Sequence, residues 1–238
     1  MFNIDRRTIY IILMVIVLMN IASYFTSVGK MVALFLSLPG IFIAITFHEY
    51  AHAKVADMLG DETPRLQGRL TLNPFAHLDL FGTILLITCG FGWGKPVETN
   101  PRRYKRTIKM STAEALVSAA GPLMNFIIAI ICSLLFAIIG KYANTSNIYT
   151  GVILTIINST MVINIGLGLF NLIPLYPLDG SKILKSIAPQ KIRIWIEANE
   201  QILYYIFLAL WLFGMFEIIL TPTINVVYSL ILNMFNFI

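Results

Sequence analysis

Long apolar runs divide the chain, and three of them contain no charged side chain. They cover residues 8–29, 115–140 and 218–238. At a rise of about 1.5 Å per residue, each run is long enough to cross the roughly 30 Å hydrocarbon core of a bilayer as a helix. This pattern predicts three membrane-spanning helices.

Three further segments are apolar but interrupted by proline, glycine, asparagine or ionisable side chains, and they predict additional spans. We read the first span as retained, because its apolar run exceeds the core of a signal peptide and no small-residue cleavage site precedes Lys30. The sequence shows no repeats or linkers, so we treat residues 1–238 as one all-α polytopic membrane domain. The six predicted spans are approximately 8–29, 31–53, 113–140, 151–173, 200–217 and 222–238.

A glycine-rich apolar segment, residues 80–94, lies in the long polar connection between the second and third predicted spans. Its 15 residues are few for a helical span, and they contain four glycines together with threonine and isoleucine, which favour extended structure. Lipid cannot satisfy an extended backbone, so such a segment needs protein or a cavity around it. We expect an extended segment or β-hairpin dipping into the membrane, with an ordinary surface loop as the alternative.

Composition agrees with an integral membrane protein. Hydrophobic residues make up 58% of the chain, charged residues 12%, and the mean hydropathy is +0.80. The net charge of +5 is explained by insertion, because a cytoplasmic N-terminus places 15 of the 17 Lys and Arg residues on the cytoplasmic side and only Lys30 and Lys141 outside. We therefore expect both termini in the cytoplasm and no nucleic-acid partner. Cys89 and Cys132 stand alone in apolar surroundings and indicate neither a disulfide nor a thiolate metal site.

Candidate chemistry lies at the end of the second predicted span, where His48, Glu49 and His52 form an HExxH pattern. Residues four apart share one face of a helix, so both imidazoles can bind one metal ion while the glutamate polarises water. The pattern also occurs by chance in helices that bind no metal. Ionisable side chains within an apolar span are costly, however, and metal coordination offers a compensating purpose.

A catalytic zinc site usually has a third protein ligand, and several side chains are candidates. Asp179 lies near the cytoplasmic end of a later span, at the same predicted depth as the histidines. It follows Pro174 and Pro177, which must break the helix and expose backbone groups that only a cavity can accommodate. A plain helix end with an Asp-Gly turn is the alternative. The candidates are Asp57, Asp61, Glu62, His77, Asp79 and Asp179.

These motifs together resemble the site-2 protease family, the intramembrane zinc metalloproteases of the M50 group. That family combines HExxH in one span with Asn-x-x-Pro…Asp-Gly in a later span, here Asn171, Pro174, Asp179 and Gly180. Residues 73–79 and 121–125 also resemble segments of prokaryotic members, and no stretch resembles a PDZ or CBS domain. The resemblance covers residues 48–180.

The resemblance implies one Zn²⁺ per chain, bound by His48, His52 and Asp179, with Glu49 as the base. It implies that Asn171 holds the substrate or stabilises the developing oxyanion, with capping of the broken helix as the alternative. His77 is expected in a supporting role, as an occasional ligand, a hydrogen-bonding partner or a loop clasp. Asn125 is expected either to support the site or to pack helices.

The expected function is regulated intramembrane proteolysis, in which the enzyme hydrolyses a peptide bond in or near a transmembrane segment of another protein. The expected location is a prokaryotic plasma membrane, with the active site toward the cytoplasm; the sequence indicates no oligomeric state. The alternatives are a metal-ion or proton transporter and an inactive protein that binds membrane helices. Glu49 between two ligands favours the enzyme, because a carrier needs no base there.

Overall fold

The computed structural model describes residues 26–89 and 94–235, together with residues 15 and 22. These residues form helices joined by short connections, and no strand occurs among them. Short 3₁₀ helices lie at Pro74–Ala76 and Pro101–Arg103. The α-helices are α1 (Val28–Met58), α2 (Thr63–Leu66), α3 (Leu80–Cys89), α4 (Met110–Tyr142), α5 (Ile148–Asn171), α6 (Asp179–Ile187), α7 (Gln190–Ala198), α8 (Glu200–Leu212) and α9 (Met215–Asn233).

Four of these helices, α1, α4, α5 and α9, are long and apolar enough to cross a membrane. They correspond to the predicted spans 31–53, 113–140, 151–173 and 222–238, so those predictions are confirmed as long apolar helices. The predicted first span, 8–29, lies almost entirely outside the described residues. An all-helical membrane protein is therefore confirmed, whereas six full spans are not found in the described part of the chain.

The predicted span 200–217 is wrong in its bounds. Helix α8 has 13 residues and ends at Leu212, and the chain turns at Gly214, whose φ of 66° lies in the left-handed region. Thirteen residues of helix rise only about 20 Å, which is less than the thickness of the hydrocarbon core. The apolar sequence continues without interruption across this turn, so only the glycine marked the break.

The hairpin expected within residues 80–94 is also wrong over Leu80–Cys89, which forms helix α3. Asp79 explains the helix, because its carboxylate accepts the Gly82 N–H at 2.8 Å and its carbonyl accepts the Thr83 N–H at 2.9 Å. Residues 90–93 of the predicted dip lie outside the described residues. Extended pairing is confined to Gly94, which forms an antiparallel bridge with Leu78.

Helices α1, α4 and α5 pack directly against one another, and the HExxH motif of α1 lies where they meet. Small residues permit this close approach. A Cβ atom on Gly40 of α1 would lie 2.9 Å from the Cα atom of Thr160 on α5, and one on Gly168 of α5 would lie 3.2 Å from the Pro122 carbonyl oxygen on α4. Helix α6 packs against α4, and this contact brings a fourth helix to the same region.

Candidate metal centre

Three side chains from two distant parts of the sequence meet at the centre of this helix cluster. His48 and His52 lie one turn apart on α1, and Asp179 is the first residue of α6. The two Nε2 atoms are 3.1 Å apart, and Asp179 Oδ2 lies 3.1 Å from His48 Nε2 and 3.0 Å from His52 Nε2. All three residues are buried, with exposed fractions of 5% to 8%. The trio expected to hold a metal ion is thus in mutual contact.

Hydrogen bonds on the far side of each ring determine where the imidazole protons lie. His52 Nδ1 is 2.6 Å from the carbonyl oxygen of Val117, which can only accept a hydrogen bond, so this nitrogen donates. His48 Nδ1 lies 2.7 Å from Asn125 Oδ1 and donates in the same way. In the neutral form of each ring, Nε2 therefore directs a lone pair toward Asp179.

Two nitrogen lone pairs and a carboxylate oxygen in contact require a positive charge among them, either a proton or a metal ion. Zinc binds imidazole nitrogen and carboxylate oxygen at about 2.0–2.1 Å, and tetrahedral coordination then leaves the ligand atoms roughly 3.3 Å apart. The observed separations of 3.0–3.1 Å are close to that spacing. Two imidazoles and one carboxylate are a ligand set that zinc accepts while leaving its fourth position open.

The charge state of Asp179 suits a cation ligand. Burial of its carboxyl group would raise its pKa, but when a proton supplies the positive charge, the charge of His52 and hydrogen bonds from imidazole Nε2–H groups outweigh burial and hold the pKa well below the usual range. Lys182 adds a weaker contact, with Nζ 3.3 Å from the other carboxylate oxygen, Oδ1. Asp179 is therefore ionised, which is the form that binds a metal ion.

Glycines on two helices make room for the trio. A Cβ atom on Gly121 of α4 would collide with His52 Nε2 and would lie 2.7 Å from His48 Nε2. A Cβ atom on Gly180 of α6 would collide with the carbonyl oxygens of Leu172 and Ile173. The first glycine admits the imidazoles beside α4, and the second lets the chain turn back after α5 so that Asp179 enters the centre.

Glu49 lies beside the trio without joining it. Its half-buried carboxylate accepts the main-chain N–H of Val97 through Oε2 at a distance of 3.0 Å. The preceding residues hold this segment close, because Gly94 bridges to Leu78 and the Lys95 N–H donates to the His77 carbonyl at 2.6 Å. The segment 94–97 thus holds the carboxylate next to the histidines.

A cavity of about 1110 Å³ opens onto these residues. Its lining has three parts: the centre itself, a basic part on α6 and α7, and an aromatic part on α8. The cavity has room for a peptide segment beside the trio. The lining includes His48, Glu49, His52, Asn171, Asp179, Lys182, Lys185, Arg193, Tyr204, Tyr205 and Trp211.

The remaining predicted site residues lie at different distances from this centre. Asn171 lines the cavity, and its Nδ2 donates to the Leu167 carbonyl at 3.0 Å, which uses one of its two amide hydrogens. His77 is fully buried outside the trio, with Nε2 2.8 Å from the Thr71 carbonyl, and its supporting role stays a prediction. Asn125 contacts His48 directly and also bonds to α1 and α5, so both of its expected roles, supporting the site and packing helices, stay predictions.

The other carboxylates considered as third ligands have different partners. Asp57 pairs with Arg65 at 2.6 Å, and Asp61 accepts hydrogen bonds from Thr63 and from the Asn100 N–H. Asp79 binds the first turn of α3. Glu62 is exposed, and none of the four carboxylates belongs to the group of possible metal ligands in the described residues.

Sequence reasoning missed three contributors to the centre. Asn164 was detectable as a polar residue inside an otherwise apolar span, because such residues need a buried partner. The Val117 carbonyl and the Val97 N–H were not detectable, because main-chain groups carry no signal in the residue type.

Comparisons with known proteins give one matching family and a similar bacterial protein. The family described as Peptidase family M50 matches residues 36–152 and 137–214. A Bacillus subtilis (strain 168) protein named "Putative zinc metalloprotease YwhC" is 39% identical over 197 residues, which cover 82% of this chain and 89% of that protein. No solved structure matches the chain.

Proposed function

This chain belongs to peptidase family M50 and is a zinc metalloendopeptidase, and we propose that it cleaves a transmembrane segment of another membrane protein. The observation that carries this proposal is the position of the trio. His48 and His52 lie on α1, a helix long and apolar enough to span a bilayer, and Asp179 meets them there. Chemistry at that position acts on peptide bonds within or next to the membrane.

In this proposal His48, His52 and Asp179 hold one zinc ion through Nε2, Nε2 and Oδ2. When bound there, zinc supplies Lewis acidity that activates a water molecule and polarises the scissile carbonyl. The Nδ1 hydrogen bonds to Asn125 and Val117 keep both imidazoles in the tautomer that this coordination requires.

Glu49 is the proposed general base. Its carboxylate lines the same cavity as the trio, and the Val97 N–H holds one oxygen, Oε2. The carboxylate takes a proton from the attacking water and then delivers it to the departing amine nitrogen, so the peptide bond breaks without a charged leaving group.

Asn171 is the proposed substrate-binding donor. It lines the cavity close to the break between α5 and α6, and one amide hydrogen remains beyond its bond to Leu167. An amide donor directed at the scissile carbonyl oxygen stabilises the negative charge that develops there, and such a contact is strong in a site with little water.

The substrate must be extended where it is cut, because a helical peptide bond is enclosed by its own hydrogen bonds and side chains. Gly94 pairs with Leu78 and the Val97 N–H contacts Glu49, so we propose that the segment 94–97 offers main-chain groups to an extended substrate. The cavity of about 1110 Å³ accommodates such a chain. Unwinding of the substrate helix is therefore part of the proposed reaction.

The proposed setting is a prokaryotic plasma membrane with both chain termini in the cytoplasm. The connection that carries the 94–97 segment, residues 59–109, also carries eight of the 17 Lys and Arg residues, which favour the cytoplasmic side. The metal centre lies at the end of α1 that leads into this connection. In this proposal, water therefore reaches the centre from the cytoplasm, and the carboxylate of Glu49 lies on that side.

The proposal is tested by replacing Glu49 with glutamine. Purified wild type and Glu49→Gln protein are both expected to contain about one zinc ion per chain. In cells, uncleaved membrane proteins are expected to accumulate with Glu49→Gln, because loss of a general base slows hydrolysis by about 100- to 10,000-fold. Quantitative proteomics of the membrane fraction measures the accumulation.

The matched control is Glu62→Gln, which removes the same charge from an exposed residue outside the cavity. It is expected to behave as wild type. Cleavage retained by Glu49→Gln would rule out the proposed base, and a wild-type protein free of zinc would rule out the metal centre. Metal transport across vesicles by Glu49→Gln at the wild-type rate would instead support a carrier.

A further inference from the structure

Two asparagine side chains lie fully buried in the apolar cluster behind His48. Asn125 on α4 and Asn164 on α5 both have an exposed fraction of 0%. Buried amides without partners are costly, so each must be accounted for by hydrogen bonds. Their bonds form a continuous relay from the α5 backbone to the imidazole.

The direction of the relay follows from the groups at its ends. Asn125 Nδ2 donates to the Ala44 carbonyl at 3.1 Å and to Asn164 Oδ1 at 2.9 Å, and Asn164 Nδ2 donates to the Thr160 carbonyl at 2.8 Å. A carbonyl accepts and never donates, so the Thr160 and Ala44 carbonyls fix both amide groups in one orientation. Asn125 Oδ1 is left facing His48 Nδ1 at 2.7 Å.

The orientation of Asn125 determines which nitrogen of His48 carries the proton. If the amide flipped, its NH₂ group would face Nδ1, and a neutral imidazole would then carry its proton on Nε2. A protonated Nε2 cannot bind a metal ion. The flip would also place Asn125 Oδ1 against two other oxygens, those of Ala44 and Asn164, and this repulsion opposes it.

We propose that Asn164 is a positioning residue that selects the metal-binding tautomer of His48 through Asn125. This inference rests on the proposed function, since it assigns a role toward the same zinc centre. His52 needs no such relay, because a main-chain carbonyl fixes its Nδ1 proton directly. Burial makes the relay necessary for His48, since both asparagines are inaccessible to water that would replace a lost partner.

The test is Asn164→Leu, which removes one of the two oxygens that oppose the flip and leaves a side chain of similar size. Loss of a group in the hydrogen-bond network that orients a metal ligand typically weakens metal binding about 10- to 100-fold. The zinc affinity of the full-length protein in detergent, measured by competition with a chelator, is expected to fall by that factor. The measurement requires no substrate and no activity.

A second measurement reports the tautomer itself. The chain contains three histidines, so ring-nitrogen NMR of zinc-free protein labelled with ¹⁵N-histidine can follow His48. Wild type is expected to show Nδ1 of His48 protonated throughout, and Asn164→Leu is expected to show a population in which Nδ1 carries no proton. A purely structural role for Asn164 would leave this ratio unchanged.

Two further variants separate positioning from general destabilisation. Asn158→Leu makes the same change on the same helix, where the side chain accepts a hydrogen bond from the Tyr228 hydroxyl at 2.7 Å, and it is expected to keep wild-type zinc affinity. Asn164→Asp is expected to restore most of the affinity, because burial keeps its carboxyl group protonated and able to both donate and accept.

The outcomes are distinct. Wild-type affinity and tautomer in Asn164→Leu would overturn the inference while leaving the metal centre intact. Equal losses in Asn164→Leu and Asn158→Leu would also overturn it, because they would indicate loss of packing alone. Absence of zinc from the wild type would contradict the proposed function itself, and the inference with it.

Discussion

The space for the two imidazoles depends on Gly121, whose side chain is a single hydrogen atom. It sits on α4 beside the two imidazoles, and a Cβ atom there would collide with His52 and lie 2.7 Å from His48 Nε2. Real Cβ atoms do not approach other atoms so closely, so either the imidazoles or the helix must move. The helix itself tolerates alanine well, which makes the position a clean probe of the centre.

We expect Gly121→Ala to keep its helical content and lose zinc. Displacing both histidines affects two ligands at once, so the affinity is expected to fall by more than the roughly 10- to 100-fold cost of losing an outer partner. Chelator competition measures the loss. The control is Gly140→Ala in the same helix, where no atom lies within 4 Å of the added Cβ; it is expected to bind zinc as wild type does. Equal affinities in the two variants would contradict this account of the glycine.

At the same scale, residue type explains what the sequence alone could predict. His48 and His52 were predictable because helical periodicity places residues four apart on one face, and Asp179 because its depth and the broken helix before it indicated a cavity. The structure brings these three together. The relay through Asn164 was not predicted, because the sequence does not reveal which helices are neighbours.

At the scale of elements, the end of α5 and the start of α6 deliver Asp179. The chain turns within seven residues, and Gly180 passes so close to the carbonyl groups of Leu172 and Ile173 that any Cβ atom would collide with them. The position of Asp179 therefore depends on contact between two helix ends.

Gly180→Ala is accordingly expected to move the start of α6 and withdraw Asp179 from the histidines. Zinc affinity should fall at least about 10-fold, although every ligand is still present in the sequence. Zinc content and circular dichroism together measure the effect. Gly151→Ala on α5, where the added Cβ meets no atom within 4 Å, is the control. A Gly180→Ala protein with wild-type affinity would show that the turn is more tolerant than this packing indicates.

Elements also show where sequence patterns gave the wrong structure. Residues Leu80–Cys89 carry β-forming side chains, yet they form a helix because Asp79 supplies the hydrogen bonds that start one. The hydrogen bonds of this cap outweighed the intrinsic β-preference of the side chains. That preference has less effect on local structure than the surrounding contacts do. The break at Gly214 was missed for the opposite reason, since apolar residues on both sides masked a single turn residue.

At the scale of the whole molecule, charge sets the orientation in the membrane. Helix α4 has very different charge at its two ends. Residues 95–109, before it, contain six Lys and Arg residues, whereas Lys141 is the basic residue at its other end, where the connection to α5 begins. Positive residues favour the cytoplasmic side, so these two regions are expected on opposite sides of the bilayer.

Single cysteines test this orientation. With Cys89 and Cys132 replaced, a cysteine at exposed Asn144 is expected to react with an impermeant thiol reagent in intact cells. A cysteine at exposed Arg103 is expected to react only after the cells are opened. The reverse labelling pattern would place the metal centre toward the outside and refute the proposed cytoplasmic access.

Two contacts that orient the centre come from main-chain groups, the Val97 N–H on Glu49 and the Val117 carbonyl on His52. Substitution changes a side chain and leaves the peptide unit in place. Any residue except proline at position 97, and any residue at 117 that keeps the helix, can still make its contact. Descendants of this gene can therefore vary at both positions over evolutionary time without losing either contact, and a search for invariant side chains would overlook them.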